Sequence, residues 1–437
     1  MNAFRECWRL AWPLILSNLS VPLLGMVDTA AVGHLPDPRH LAAVALGANV
    51  TGVLYFMLGF LRMGTTALAA QALGGRDPLE LRAVLARGLL VALALGLALV
   101  ALRPLTVAFA GLVMAPEPGT RDGLATYLTI RMLGAPAALG GFVLLGWLLG
   151  LQDARRPLVL MLAMNGLNAA LCVLLVFGFG LATAGVATAT VLSEYAGLAL
   201  GLLLVRHRWR DLGGMPPRSS VLVAASFRRL FAVNRDLFLR SLLLEAVFLA
   251  QAALGSRLGE VTLAANAVLM TLFTASAYGL DGFAQAAEAL VGRAVGARSA
   301  GDLREAVRAS FAAAAMLAVL MTLAYALLGP ALVGLLTSLP EVRATAQAFL
   351  PYAALVPVVA VWAFLYDGVF FGATRTAELR NGMVLAALGF AAAAYLLVPR
   401  FGNHGLWLAF LAFLGARGLI LATIYRRADG AVAFARG

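Results

Sequence analysis

Apolar runs of about twenty residues recur along the whole chain, separated by short segments rich in arginine, glycine and proline. Each run is long enough to cross the ~30 Å hydrocarbon core of a bilayer. Charge and turn signals divide the chain into twelve spans, over residues 10–33, 42–73, 84–113, 124–150, 157–178, 182–205, 236–257, 263–292, 306–336, 344–372, 381–399 and 404–425. Alternating ten-residue strands are absent, which excludes an outer-membrane barrel. The pattern predicts an all-α polytopic membrane protein. One substantial polar connection, 206–235, lies near the middle and separates an N-terminal lobe (1–205, spans one to six) from a C-terminal lobe (236–437, spans seven to twelve). Arg5 and Arg9 precede a long apolar segment without a small-residue cleavage site, so the first run reads as an uncleaved span rather than a signal peptide.

Composition narrows the chemistry. The 437 residues are 62% hydrophobic and 12% charged, whereas a soluble protein carries roughly a quarter charged residues. All 33 basic residues are arginine. A Walker A phosphate loop and Schiff-base chemistry are therefore excluded, since both need lysine. Cys7 and Cys172 are far apart and form no metal pair, and His34, His40, His207 and His404 lack zinc spacing. No cofactor or metal is expected. A net charge of +12 could suggest nucleic acid, but the arginines are spread through the loops between spans. Anionic lipid headgroups are the better match.

Arginine placement gives an orientation. With the N-terminus inside, the segments on the inner side hold most of the arginines, from Arg5 and Arg9 through Arg206, Arg208 and Arg210 to Arg426, Arg427 and Arg436. The outer side holds Arg39, Arg121, Arg257, Arg343 and Arg400. This is a positive-inside asymmetry, and it predicts both termini in the cytoplasm.

The two halves repeat. A shift of 222 residues aligns "LAAVAL" (41–46) with "LAANAV" (263–268) and "LGGRDPLELR" (73–82) with "VGARSAGDLR" (295–304). It also pairs Gly33 with Gly255, Gly146 with Gly368, Gly150 with Gly372 and Gly180 with Gly402. Six spans per half is an even number, so the halves have parallel topology about an axis along the membrane normal. Such repeats characterise secondary transporters, with the substrate path between the halves.

The first span contains one carboxylate, Asp28, in an otherwise apolar stretch. An ionised carboxylate in hydrocarbon costs several kcal/mol. It must face an aqueous cavity, pair, stay protonated or reach the interface. Removal from water favours the neutral form of any carboxyl, the condition a proton carrier needs. Glu245 on the seventh span, Asp281 and Glu288 on the eighth and Asp367 on the tenth raise the same question. Each is expected to line a cavity rather than face lipid, or, for Asp281 and Glu288, to pair with Arg62, Arg131 or Arg417.

Several stretches resemble the multidrug and toxic compound extrusion (MATE) family of the MOP flippase superfamily, and within it the branch of DNA-damage-inducible protein F. "WPLILSNLSVPLLGMVDTAAVGHL" carries the family's early proline, Pro13, and its Asp28 and Gly33. "YLTIRMLGAP" (127–136), "GWLLGLQDARRPL" (146–158) and "DGVFFGATRTAELRN" (367–381) look like further family segments in the right order. The resemblance implies two pseudo-symmetric six-helix lobes around a V-shaped cavity, in a bacterial cytoplasmic (inner) membrane. It implies export of organic compounds in exchange for protons or sodium ions. It makes Asp28 the cation-coupling carboxylate of the N-terminal lobe and Pro13 a structural hinge. The family's supporting positions fall on Asn168 and Thr190, but Cys172 stands where an aspartate is usual. Thiol sulfur is a poor ligand for hard sodium, which prefers oxygen. Glu194, one turn beyond Thr190 on the same face, either replaces the missing charge, sits near a helix end or pairs with a nearby arginine. Met161, Asn165, Glu245 and Asp281 join Asp28 as expected substrate-binding residues; methionines give an adaptable apolar wall.

The leading expectation is multidrug (xenobiotic) efflux of amphipathic, often cationic molecules by antiport, coupled to protons in preference to sodium. The alternative on the same fold is export of lipid-linked or anionic metabolites. An intramembrane enzyme lacks support, because HExxH and GxSxG are both absent. The expected partners are small organic molecules and the bilayer, with the chain working as a monomer and binding no nucleic acid.

Overall fold

The computed structural model describes residues 3–427; the side chains of residues 23, 24 and 207 and all of 428–437 lie outside the description, and with them His207, Arg436 and the end of the C-terminal lobe. The described residues are almost wholly helical. In chain order the helices are α1 (Ala3–Gly33), α2 (Pro38–Leu58), α3 (Phe60–Gly74), α4 (Pro78–Ala101), α5 (Arg103–Met114), α6 (Pro118–Leu133), α7 (Ala135–Gly150) and α8 (Arg155–Val173). There follow α9 (Ala182–Asp211), α10 (Arg218–Val221), α11 (Ala224–Ser256), α12 (Glu260–Gly296), α13 (Ala300–Leu336), α14 (Pro340–Gly372), α15 (Thr376–Phe401) and α16 (Asn403–Arg427). Eleven helices are long and apolar enough to cross a membrane, or twelve when the bent pair α6–α7 counts as one span. The chain is a multi-pass helical membrane protein. Helices α9 and α11 run into the polar connection from both ends, so that only residues 212–223, with the short α10, separate them.

Helix starts follow the sequence. Asp37 and Asp77 each precede a proline and accept a backbone N–H of the first turn, from Arg39 at 2.9 Å and from Glu80 at 2.8 Å. Ser299 does the same for Asp302 at 3.2 Å. Such caps satisfy donors that a helix leaves orphaned.

Two compact units emerge: residues 16–231, and residues 3–15 together with 232–427. Within the second unit, residues 3–15 of α1 are held by an ion pair in which Arg293 donates to both Glu6 carboxylate oxygens at 3.0 Å. Trp8 meets Phe283 edge-on at 4.9 Å, and Gly282 lets Ile15 approach α12.

The internal repeat extends to backbone detail. Arg76 and Arg298, paired by the shift of 222, both adopt left-handed backbone, with φ of 53° and 54°. Gln152 and Thr374 do likewise, at 61° and 55°. In the first unit a Cβ at Gly150 would meet the Thr66 carbonyl oxygen and the Ala70 nitrogen; in the second, a Cβ at Gly372 would meet the Glu288 carbonyl oxygen and the Gly292 nitrogen. Both neighbours are themselves related by the same shift. Helices cross here at backbone contact, which only glycine permits.

Candidate cation-coupling site

The first unit gathers polar side chains from α1, α2, α6, α8 and α9. Met161, Asn165, Asn168 and Cys172 follow each other at spacings of four, three and four residues, which aligns them on one face of α8. Cys172 is fully buried, and its thiol lies in hydrogen-bonding reach of the half-buried Asp28 carboxylate. The Asp28 oxygen Oδ1 is buried with no hydrogen-bond partner.

One turn before Cys172, Asn168 is fully buried. Its Nδ2 donates to Thr190 Oγ1 at 3.0 Å and to Ser193 Oγ at 3.4 Å. Both hydroxyls are oriented by donating to their own helix: Thr190 to the Val186 carbonyl at 3.0 Å and Ser193 to the Thr190 carbonyl at 2.8 Å. Their lone pairs therefore face Asn168. Asn168 Oδ1 is left without a partner. Two buried acceptors thus stand unsatisfied, one on α1 and one on α8 a turn before Cys172. Buried polar groups are paired in the great majority of cases, so these oxygens suit a proton, a cation or a water as ligand.

Glu194 is not the direct partner of Asp28. Its carboxylate accepts from Arg131 Nη1 at 3.0 Å, with side-chain exposures of 11% and 6%. The local sequence "RMLGAP" builds this contact. Pro136 cannot donate a backbone N–H, so the helix breaks at Gly134 and α7 leaves α6 at 49°. A Cβ at Gly134 would occupy the position of the Glu194 carboxylate. The break also frees the Leu133 carbonyl, which accepts the Tyr195 hydroxyl at 3.0 Å. The Arg131 guanidinium lies over the Tyr55 ring, 5.4 Å from its centre, and Tyr127 stands one turn before it on α6.

The remaining expected site residues are dispersed. Asn165 Nδ2 donates to Ser20 Oγ on α1 at 2.8 Å, and Ser20 in turn donates to the Ser17 carbonyl. Met161 is half-buried on the same α8 face. Glu245 and Asp281 belong to the second unit: Glu245 is half-buried, and Asp281 accepts from Gln285 at 2.9 Å. Pro13 sits inside an unbroken α1. Among the arginines considered as partners for Asp281 or Glu288, Arg131 takes Glu194, while Arg417 donates to Asp367 at 2.7 Å. Asp367 also accepts from Arg240, so two buried guanidiniums share one carboxylate, and Phe413 and Phe371 lie under them at 5.5 Å. Sequence reasoning did not single out Arg240, Tyr55 or Ser193. Tyr127, four residues before Arg131 on the same helix, was available to it.

The whole fold aligns with solved transporters. It matches an outward-facing multidrug resistance MATE family transporter of the MOP superfamily with a TM-score of 0.91 at 19% identity, covering 99% of this chain and 97% of that one. The bent conformation of a MATE protein matches with a TM-score of 0.91 at 20% identity, over 100% of this chain and 98% of that one. These likenesses define the class, a MATE-type transporter fold. The MatE family model matches residues 13–174 and 237–396, and the chain belongs to that family. Similar relatives include DNA damage-inducible protein F of Escherichia coli K12, 46% identical over 423 residues, 97% of this chain and 92% of that one. Another is the probable multidrug resistance protein NorM of Caulobacter vibrioides, 28% identical over 447 residues, 96% of this chain and 91% of that one. The chain is a transporter, not an enzyme.

Proposed function

We propose that this transporter exports amphipathic, often cationic organic compounds in exchange for protons, with Asp28 as the coupling carboxylate. The observation that carries this reading is the buried, unpartnered Oδ1 of Asp28 on α1, with a second unpartnered oxygen, Asn168 Oδ1, on the helix that carries Cys172. A carboxylate in that position gains most by taking up a proton or meeting a cationic substrate, and one group that can do only one at a time links the two fluxes. Protons are favoured over sodium because the third group at the site is the Cys172 thiol rather than a second carboxylate, and hard cations select oxygen ligands. Asn168 and Thr190 hold the α8–α9 wall of the site; Asn165 and Met161 extend its face towards the substrate. The proposed setting is a cytoplasmic membrane with both termini inside, acting as a monomer.

The test is efflux of a cationic dye panel from membrane vesicles, with proton and sodium gradients collapsed separately. Asp28→Asn keeps the side-chain volume and loses the titratable group. We expect it to be inserted and folded but to lose energised export. Export by this variant at the wild-type rate would make Asp28 a bystander.

A further inference from the structure

Two arginines and one aspartate meet in the interior of the second unit, and proton exchange at Asp28 uses none of them. Arg240 comes from α11, Asp367 from α14 and Arg417 from α16, with exposures of 6%, 4% and 4%. Both guanidiniums donate through Nη2 to the same oxygen, Asp367 Oδ2, from Arg417 at 2.7 Å. Backbone packing fixes the helices around them. Gly418, next to Arg417, brings α16 against the backbone of Trp362 and Ala363, one turn before Asp367. Gly368 brings α14 against the Ala284 carbonyl of α12.

The charges in this cluster do not balance. Asp367 supplies one negative charge for two guanidiniums, and a guanidinium in a protein keeps its proton. Asp236, one turn before Arg240 on α11, is taken up elsewhere: it accepts from Arg380 at 2.6 Å and from Arg235 at 3.1 Å. The hydrogen bonds do not balance either. A guanidinium carries five N–H groups. Among the described residues Arg240 and Arg417 each make one hydrogen bond, and both Nε atoms are buried without a partner. Phe371 and Phe413, each 5.5 Å from a guanidinium, offer ring faces that attract a cation but supply no counter-charge. Buried charges are paired and buried donors bonded in the great majority of cases. The cluster therefore calls for a further ligand that is negative and accepts several N–H groups. The shift of 222 places Asn18, Leu145 and Tyr195 at the matching positions of the first half, so this excess of positive charge is particular to the second.

We propose that Arg240, Asp367 and Arg417 form a binding site for one small monovalent anion of the chloride class. One such charge brings the cluster to neutrality. A spherical halide accepts from several donors without a preferred direction, which suits N–H groups arriving from two helices. With so little exposure, the site admits a single ion rather than an organic acid. The bound anion ties α11, α14 and α16 together, and its role is independent of the reading of Asp28.

Melting of the purified full chain in detergent, in sodium chloride against sodium gluconate at equal ionic strength, tests the site. A ligand of the folded state raises the melting temperature, and we expect the wild type to melt about 2–4 °C higher in chloride, with bromide acting like chloride. Arg417→Met and Arg240→Met each leave a neutral one-to-one pair, and each should lose the chloride dependence. Equal melting of the wild type in both salts would overturn the proposal and mean that water meets these donors. A chloride effect retained by either variant would also overturn it, as a general effect of the salt. Crystals grown in bromide decide the matter even where the variants do not fold. An anomalous peak is expected within hydrogen-bonding distance of both guanidiniums, and its absence would sink the idea.

Discussion

In the proposed mechanism, Cys172 is the residue at which the coupling ion is decided. Its thiol neighbours Asp28 and fills the α8 position one turn beyond Asn168. The oxygen atoms left to a cation are the unpartnered Oδ1 of Asp28 and of Asn168 and the hydroxyl of Thr190. For sodium this is a thin set, because hard cations gather several oxygens and gain most from carboxylates. Cys172→Asp supplies the missing charge at the same place. We expect wild-type melting to be equal in sodium and potassium salts, and Cys172→Asp to melt about 2–4 °C higher in sodium, the effect of a ligand that binds only the folded state. Equal melting of the variant in both salts would mean that the site lacks sodium geometry for a reason other than Cys172.

At the level of elements, the repeat dictates where α3 meets α7 and where α12 meets α14. Gly150 and Gly372 bring backbones together at positions related by the same shift, each against a carbonyl oxygen and a backbone nitrogen of its neighbour. Gly150→Ala and Gly372→Ala should each destabilise the protein by about 1–3 kcal/mol, the usual cost of overpacking, read as a lowered melting temperature in detergent. Gly141→Ala and Gly389→Ala, where a Cβ has open space, should be nearly neutral. Similar losses at all four positions would show that helix contact is not what these glycines serve. The repeat itself was legible in the sequence because Gly, Arg and turn residues stand out against an apolar background. The break at Gly59, which divides α2 from α3, was not. Inside a membrane both sides of a break stay apolar, so polarity gives no signal, and only a proline such as Pro136 marks one. The partner of Glu194 was similarly hidden. Helical spacing put Glu194 on the face of Thr190, but it could not say which helix stands opposite, and Arg131 lies 63 residues earlier.

For the whole molecule, the remaining question is which way the chain faces. Two turns with left-handed arginines, at Arg76 and Arg298, are repeat mates separated by an even number of spans, so they fall on one side of the membrane. The 212–223 connection and the end of α9, with Arg206, Arg208 and Arg210, fall on that side too. The loop between α5 and α6 and the one between α13 and α14 fall on the other, where Arg121 and Arg343 are among few arginines. Short arginine-rich loops are retained in the cytoplasm, and anionic lipid on that face adds attraction within a Debye length. The expected orientation has the 212–223 connection inside. Both native cysteines are buried, so single cysteines introduced elsewhere can be read against a low background. A membrane-impermeant maleimide added to intact cells should label a cysteine placed within 114–120 and should miss one within 211–217 until the membrane is opened. Labelling of 211–217 in intact cells would invert the orientation, and with it the side from which Asp28 receives its proton in the proposed mechanism.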